Sequence, residues 1–295
     1  MIYRCTAVAC VLLLGACSAE PPPTPVVVYA YGDESSSLAA EFAAFAGETG
    51  IPIDVRFGAS GELTDDVMTN SGSPPADVLV TSNVADIWRA AEKGALRPIR
   101  ADAFDEISDA QKDPDRFWAA VRVHAHVLVA PLGTGGPPSS WNDIKLPEFA
   151  GQLCMSSSQL AGNRALLAHL VADIGELQAE RLVRRWVRNL ALPPFSSQDE
   201  LLAAVRDGRC TFGIGTLHGD FDGLVATSPR PQYFDISAIG VARHAQQAES
   251  AQQLVGWLLD NRPQYFESQS SLRHVSVAGW LDEEARLLAE RAGYR

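Results

Sequence analysis

Short apolar runs alternate with amphipathic segments through the first third of this chain of 295 residues. A β-rich run at Val26–Ala30 precedes a helix-like segment from Ser35 to Glu48. Further runs at Ile51–Phe57 and Asp77–Val80 predict strands, and the second is apolar enough to be buried on both faces. This alternation predicts an α/β fold with a mostly parallel sheet.

Two longer strands are predicted later in the chain, at Val121–Pro131 and Tyr233–Val241. Between them, a second set of predicted strands and helices occupies residues 152–215. A chain of 295 residues with 46% hydrophobic residues is long enough for two domains, each with a core of its own. The sequence therefore predicts two α/β units.

Several short motifs occur in an order typical of one protein family. In chain order they are Val28–Gly32 (Val-Tyr-x-x-Gly), Thr49–Ile53, Ser73–Val78, Ala91–Pro98, Pro138–Ile144, Phe149–Gly151 and Ala203–Gly208. In this order they resemble the extracellular solute-binding proteins of bacterial ABC importers. The resemblance is closest to the ferric iron-binding subgroup of the periplasmic-binding type II proteins, and it extends from about Val26 to about Val277.

The resemblance implies a two-lobed α/β fold, in which two crossing strands at about 121–130 and 233–242 join the lobes and the ligand lies in the cleft between them. It places residues 26–122 and 236–295 in lobe 1 and residues 123–235 in lobe 2. It also implies a hinge motion that closes the cleft, a monomer without catalytic activity, and ABC permease membrane subunits as partners. The formal net charge of −12 disfavours binding to nucleic acid.

The N-terminal residues have the pattern of an export and anchoring signal. The apolar run Val8–Leu14 follows a basic residue and is too short to span a bilayer. The segment Leu14–Cys17 resembles a bacterial lipobox, in which Cys17 is lipidated after residues 1–16 are removed, and residues 17–25 then form a proline-rich tether. This pattern predicts an exported lipoprotein on the periplasmic or cell-surface side of a membrane. An uncleaved anchor, or an ordinary signal with a chance cysteine, is the alternative.

Two cysteines remain for the folded part of such a protein, Cys154 and Cys210. An oxidising compartment favours a disulfide between them, whereas their spacing equally allows two buried free thiols. No group of cysteines and histidines has the spacing of a zinc finger.

The resemblance to the ferric subgroup also implies positions for metal ligands. In that subgroup two adjacent tyrosines after a lobe 2 strand hold the ion, often with a histidine after the first strand and a glutamate after the Pro-Ala-Asp-Val strand. The tyrosine pair corresponds here to His218 and Gly219, the histidine to Asp33, and the glutamate to Ser82, with Asn83 next to it. Phenolate oxygens are missing from these positions, and imidazole suits zinc, copper, nickel or ferrous iron better than ferric iron.

Two further histidines lie on the first predicted crossing strand, where iron-binding members tend to carry Arg-x-Arg. Alternation along a strand puts His124 and His126 on one face, a geometry suited to holding a metal ion or to donating two hydrogen bonds to an anion. Exposure near the hinge without a role is the alternative. The leading hypothesis is a bound metal ion, iron by resemblance, with or without a synergistic anion. Its predicted ligands are His218 with Asp33 or Asp220, and His124 and His126.

A small anion is the second ligand hypothesis. The run Ser156–Ser158 precedes one predicted helix, and Gly58–Gly61 precedes another in the first lobe. Two facing helix N-termini would suit a phosphonate or organophosphate, held by Ser60, Ser157, Ser158 and the histidines. Plain N-capping by serine is the alternative for these residues. A third hypothesis is a receptor fold that has lost transport and acts as a sensor or structural lipoprotein.

Overall fold

The computed structural model describes residues 23–217, 221–262 and 275–295. Strands and helices alternate in its first part: β1 (Val26–Tyr31), α1 (Ser37–Thr49), β2 (Ile53–Gly58), α2 (Ser60–Thr69), β3 (Val78–Thr81), α3 (Val84–Glu92) and β4 (Leu96–Arg97). The long strand β5 (Ala119–Pro131) follows. The next elements are β6 (Leu153–Met155), α4 (Ala161–Ile174), α5 (Glu176–Arg188), α6 (Gln198–Arg206), β7 (Phe212–Thr216) and β8 (Leu224–Thr227). The last are β9 (Phe234–Ala242), α7 (Ala248–Asp260), α8 (Ser276–Trp280) and α9 (Asp282–Ala292).

Helix α1 illustrates how the sequence sets these bounds. The Ser36 side chain accepts a hydrogen bond from the Ala39 N–H (3.4 Å) and caps the start of the helix. Gly50 ends it with a φ of 71°, a left-handed conformation that glycine adopts without strain. The buried face consists of Leu38, Phe42 and Phe45, which recur at helical spacing.

The strands pair in the order β2-β1-β3-β9-β5-β7-β6, with β4 on β9 and β8 on β5. The pairs β1–β2, β1–β3 and β6–β7 are parallel, whereas β3–β9, β5–β9 and β5–β7 are antiparallel. The α/β class is confirmed, but the prediction of a mostly parallel sheet is wrong for the sheet as a whole. The reason is that the long strands β9 and β5 lie between the parallel groups β2-β1-β3 and β7-β6. They pair antiparallel with each other, β9 pairs antiparallel with β3, and β5 pairs antiparallel with β7.

These two long strands are β5 and β9, and they connect the two halves of the sheet. The first half of β5 pairs with β9, with a β-bulge between Ala120 and Arg122, and its second half pairs with β7 and β8. Both strands lie within two residues of their predicted positions. They therefore have the connectivity of crossing strands.

One hydrophobic cluster is continuous across this junction. It includes Leu79 of β3 and Ile87 of α3 on one side, and Leu166 of α4, Val183 of α5 and Leu288 of α9 on the other. A second cluster packs β1, β3 and β9 against α1 and α7, and a third packs β5 and β6 against α6. The two halves thus share a core at the junction.

The C-terminal segment contributes to that shared core. Helix α8 packs against both α3 and α4, and α9 packs against α4 and α5. Ion pairs join Arg291 to Glu176 (2.5 Å) and Glu180 (2.8 Å) of α5, and Arg164 of α4 to Asp282 (2.6 Å). The lobe boundaries implied by the resemblance assign α9 to lobe 1, yet its contacts are with helices of the segment 123–235.

Cys154 and Cys210, for which the sequence left pairing and free thiols open, form a disulfide with Cα atoms 5.9 Å apart. Both are buried, and they connect β6 with the turn before β7. The predicted signal and Cys17 lie outside the described residues. Within the described ranges, no helix has the length and apolar character needed to cross a bilayer.

Candidate functional site

The predicted ligand residues lie mostly in segments that follow the strands. Asp33 follows β1, Ser60 begins the helix after β2, and Ser82 follows β3. Because β1, β2 and β3 are parallel neighbours, their carboxyl ends meet at one edge of the sheet, where open α/β sheets bind ligands. His218 and Asp220 follow β7 but lie outside the described residues, so their roles stay predictions.

Ser60, Ser82 and Asn83 are brought together at this edge. The Ser82 N–H donates to Ser60 Oγ (3.2 Å), and Asn83 Nδ2 donates to Ser82 Oγ (3.2 Å). The Asn83 side chain also caps α3, because its Oδ1 accepts from the Asp86 N–H (2.9 Å) and its Nδ2 donates to Asp86 Oδ2 (2.8 Å). The amide group of Asn83 is therefore engaged in capping, whereas Ser82 is half-buried at the site edge.

Asp33 presents an exposed carboxylate in the loop between β1 and α1. The hydroxyl of Ser35 donates to its Oδ1 (2.5 Å), and the Ser35 N–H donates to the same oxygen (2.8 Å). These two bonds, the hydroxyl first, lower the pKa of the Asp33 carboxyl. Asp33 is thus an ionised oxygen donor at neutral pH, as a ligand for a hard cation must be.

The two histidines of β5 occupy different environments. His124 is half-buried and its Nε2 lies 2.8 Å from Ser237 Oγ of β9. His126 is 1% exposed and pairs with Thr216 of β7. Strand alternation places both on one face as predicted, but only His124 has solvent access in this conformation.

Tyr31 and Arg122 are polar residues at this junction that the sequence analysis missed. The Tyr31 hydroxyl lies 2.8 Å from the same Ser237 Oγ that His124 contacts. Arg122 forms an ion pair with Glu41 of α1, and its Nη2 donates to Ser37 Oγ (3.1 Å). Its Nη1 is buried and has no hydrogen-bond partner among the described residues. The signal for Tyr31 was its place as the last residue of β1, two residues before Asp33.

The serine run after β6 is largely engaged by the chain itself. Ser156 Oγ donates to the Ser197 carbonyl (3.1 Å), and Ser158 Oγ donates to the Tyr294 carbonyl (3.0 Å). Ser157 Oγ accepts from the Gln159 N–H (3.1 Å). The N-cap of α4 is Leu160, which has no side-chain capping bond, so the alternative of capping by these serines is wrong.

The described side chains can be searched for a group that could hold a metal ion. Among the described residues, no group of three histidine, cysteine, aspartate or glutamate side chains is arranged to hold a metal. The Asp33 carboxylate, the Tyr31 phenol and the His124 imidazole supply oxygen and nitrogen donors near one edge.

A protein-family model described as bacterial extracellular solute-binding protein matches residues 26–264. The chain belongs to this family. The family is non-catalytic, and the predicted recognition, fold class and lack of enzymatic activity are confirmed.

Curated relatives and solved structures agree with this assignment. The chain is 26% identical to iron uptake protein A1 of Synechocystis over 259 residues, which is 81% of this chain and 72% of that protein. It is 25% identical to a putative 2-aminoethylphosphonate-binding periplasmic protein of Salmonella typhi, over 81% of this chain and 73% of the relative. The structure of FutA (IdiA) from Trichodesmium in complex with iron and citrate has a TM-score of 0.80 at 22% identity, covering 92% of this chain and 100% of that one. At this identity the structural match supports the fold alone.

Proposed function

We propose that the chain is the iron-capturing receptor of an ABC importer, which binds the ion in the cleft at the carboxyl ends of the strands. The observation that carries this proposal is the set of donors at the end of β1: the ionised Asp33 carboxylate, and the Tyr31 phenol that shares Ser237 with His124. Carboxylate and phenol oxygens suit iron. The Synechocystis relative, named for iron uptake, supports the same ligand class.

The proposed ligand set extends the described donors with the segment after β7. His218, with Asp33 or Asp220, is the proposed centre, and His124 is the proposed ligand from the crossing strand. His126 contributes only if cleft movement uncovers it, because it is 1% exposed. Lipidation of Cys17 would keep the receptor close to its permease, where tethering raises its local concentration.

Binding of a small anion is the second candidate function, and one observation favours it. Within the described part of the chain, the buried Nη1 of Arg122 has no hydrogen-bond partner, and it is a guanidinium donor of the kind that binds phosphonate oxygens. The Salmonella relative is named for binding 2-aminoethylphosphonate. In this alternative Arg122 would have to exchange its ion pair with Glu41 for the ligand.

Thermal unfolding of the purified full chain tests both candidates. A ligand that binds only the folded state increases the free energy of unfolding, by roughly 2.7 kcal/mol when its concentration is a hundredfold above Kd. This stabilisation raises Tm. We expect ferric citrate, or anaerobic ferrous iron, to raise Tm of the wild type. His218→Ala should remove that shift, since it removes the proposed central ligand. The exposed His244 provides a matched control, and His244→Ala should keep it.

The outcomes separate the hypotheses. A Tm increase with 2-aminoethylphosphonate in the presence of chelator, and none with iron, would replace iron with the anion. An iron response that survives in His218→Ala would contradict the proposed ligand set. A flat response to every compound would favour a receptor fold that has lost transport.

A further inference from the structure

Helix α5 carries a row of arginines in a chain whose formal net charge is −12. Its buried face is apolar and consists of Ala179, Leu182, Val183 and Trp186. The exposed residues Leu177, Arg181, Arg185 and Arg188 follow one another at steps of three or four positions, so they lie along the opposite side of the helix. The three arginines of this side, Arg181, Arg185 and Arg188, are called the basic stripe below.

The acidic residues of α5 do not neutralise the basic stripe. Glu180 accepts from Arg184 (2.7 Å), and both Glu180 and Glu176 pair with Arg291 of α9. These contacts use the carboxylates on the flank that faces α9. The side chains of the basic stripe form no ion pair or hydrogen bond with any other residue that the structure describes. The stripe is therefore an uncompensated positive surface on an acidic protein.

Local stabilisation of the helix accounts for only part of this charge. Arg185 lies in the last turn of α5 together with Arg188, where the helix dipole favours a cation by about 0.3–1 kcal/mol. Arg181 lies in the middle of the helix, beyond the reach of that effect. The adjacent turn Asp143–Lys145 packs against α5 and adds one acidic and one basic side chain, so it leaves the charge of the stripe unchanged.

Two exposed apolar side chains lie at the beginning of the basic stripe. Ile174 is the last residue of α4 and is 44% exposed, and Leu177 near the start of α5 is 60% exposed. Arginines beside exposed apolar side chains are typical of surfaces that lie in the headgroup region of a bilayer, where the guanidinium groups meet phosphate and the apolar groups enter the acyl boundary. An acidic protein would match the arginines but gives no reason for the exposure of Ile174 and Leu177.

We propose that the basic stripe, together with Ile174 and Leu177, docks this protein on the anionic headgroups of a lipid bilayer. The net negative charge does not prevent this, because charges farther than about 10 Å from the surface are largely screened at 0.1 M salt. None of these residues lies in the segments after β1, β3 or β7 that the proposed ligand site uses. The inference goes beyond the proposed function, since it concerns the membrane surface and not the captured solute.

Cosedimentation with lipid vesicles tests the inference. The protein is secreted with Cys17→Ser, so that no lipid of its own holds it to the vesicles. We expect it to bind vesicles of phosphatidylglycerol mixed equally with phosphatidylcholine, and not vesicles of phosphatidylcholine alone. The triple variant Arg181→Gln, Arg185→Gln, Arg188→Gln should bind the anionic vesicles at least about tenfold more weakly. Raising NaCl from about 0.1 M to about 0.5 M should weaken the wild type in the same way.

A second triple variant controls for net charge. Arg100→Gln, Arg243→Gln, Arg286→Gln changes three exposed arginines outside α5 and alters the net charge by the same amount. The surface ion pairs of Arg100 and Arg286 contribute little to stability, so this variant should fold. It should bind the anionic vesicles within about twofold of the wild type, since its charges lie outside the stripe. Leu177→Gln should weaken binding by about threefold or more through the lost apolar contact.

Several results would overturn the inference. It fails if the wild type binds both kinds of vesicle equally, or if the two triple variants lose affinity equally. Absence of binding to the anionic vesicles would also overturn it, and would leave an acidic protein as the partner of the stripe. Tm and far-UV circular dichroism of each variant should match those of the wild type. If the stripe variant does not fold, the single variant Arg181→Gln takes its place, with an expected loss of about threefold.

Discussion

At the scale of single residues, Asp235 shows what burial does to a carboxyl group. Burial raises its pKa from 3.8 to about 7, although the hydrogen bonds from Val84 and Ile236 act in the opposite direction. Between about pH 4 and 7, the folded state therefore holds a proton that the unfolded state has released. The stability that this group contributes is complete below about pH 4 and is lost as the pH rises to about 7.

Asp235→Asn removes this titration while it keeps the side-chain shape. Between pH 5 and pH 8, we expect the free energy of unfolding of the wild type to fall by about 3 kcal/mol relative to the variant, since one pKa unit corresponds to about 1.36 kcal/mol. Urea unfolding at both pH values measures this difference. Parallel pH profiles for the two proteins would show that Asp235 titrates near its ordinary value.

Single side chains are also where the sequence was least informative. Alternation placed His124 and His126 on one face, but it did not reveal that His126 is enclosed. Asp235 and Tyr31 were missed because their contacts depend on how β9 lies beside β5 and β3, and an apolar pattern does not specify that register. Asp33 was predicted from the position that the resemblance gives to a residue after the first strand, and its role as a ligand stays a prediction.

At the scale of elements, the close approach of α8 to α3 fixes the C-terminal segment. A Cβ atom on Gly279 would lie 2.7 Å from Cβ of Trp88 and 3.3 Å from the carbonyl of Val84. Such distances leave no room for a side chain, so glycine is required for this helix contact. Val84 takes part in two contacts here: its carbonyl lies close to Gly279, and its N–H donates to Asp235.

Gly279→Ala tests this contact, and Gly47→Ala in α1 is its matched control. Both positions are helical, but an added Cβ at Gly47 has no atom within 4 Å. We expect Gly279→Ala to destabilise the protein by about 1–3 kcal/mol through overpacking, and Gly47→Ala to stabilise it by up to about 1 kcal/mol through helix propensity. Urea unfolding measures both. Equal effects would mean that α8 moves away from α3 at little cost.

The order and positions of the elements were largely predictable. Apolar runs located β5 and β9 within two residues, and helical spacing identified the buried face of α1. The direction of strand pairing was not predictable from those runs, because an apolar run does not specify whether its neighbour in the sheet is parallel or antiparallel. The bulge between Ala120 and Arg122 likewise depends on pairing rather than on local sequence.

At the scale of the whole molecule, the shared core joins the two halves into one folding unit. Tyr294 is 1% exposed near the end of the chain, its hydroxyl donates to the Ser156 carbonyl, and its own carbonyl accepts from Ser158 Oγ. The burial of its ring and these bonds tie the chain terminus to the serine run after β6. The hinge movement that the resemblance implies would leave the junction packed on this side.

We expect Tyr294→Ala to lower the free energy of unfolding by about 3–5 kcal/mol, and Tyr294→Phe by about 1 kcal/mol through loss of its hydroxyl bond alone. In both variants, unfolding followed by near-UV and far-UV circular dichroism should give one coincident transition. Two separated transitions would show that the halves unfold independently despite their shared hydrophobic cluster.

The disulfide between Cys154 and Cys210 has a consequence for how the protein is made. The bond joins residues 56 positions apart, and it can form only after β6 and β7 have come together in an oxidising environment. A receptor recovered from a reducing cytosol would lack this covalent link beneath its serine run, while retaining the same amino-acid sequence. Material for ligand screens is therefore best produced by secretion, because binding data from reduced protein would describe a differently restrained molecule.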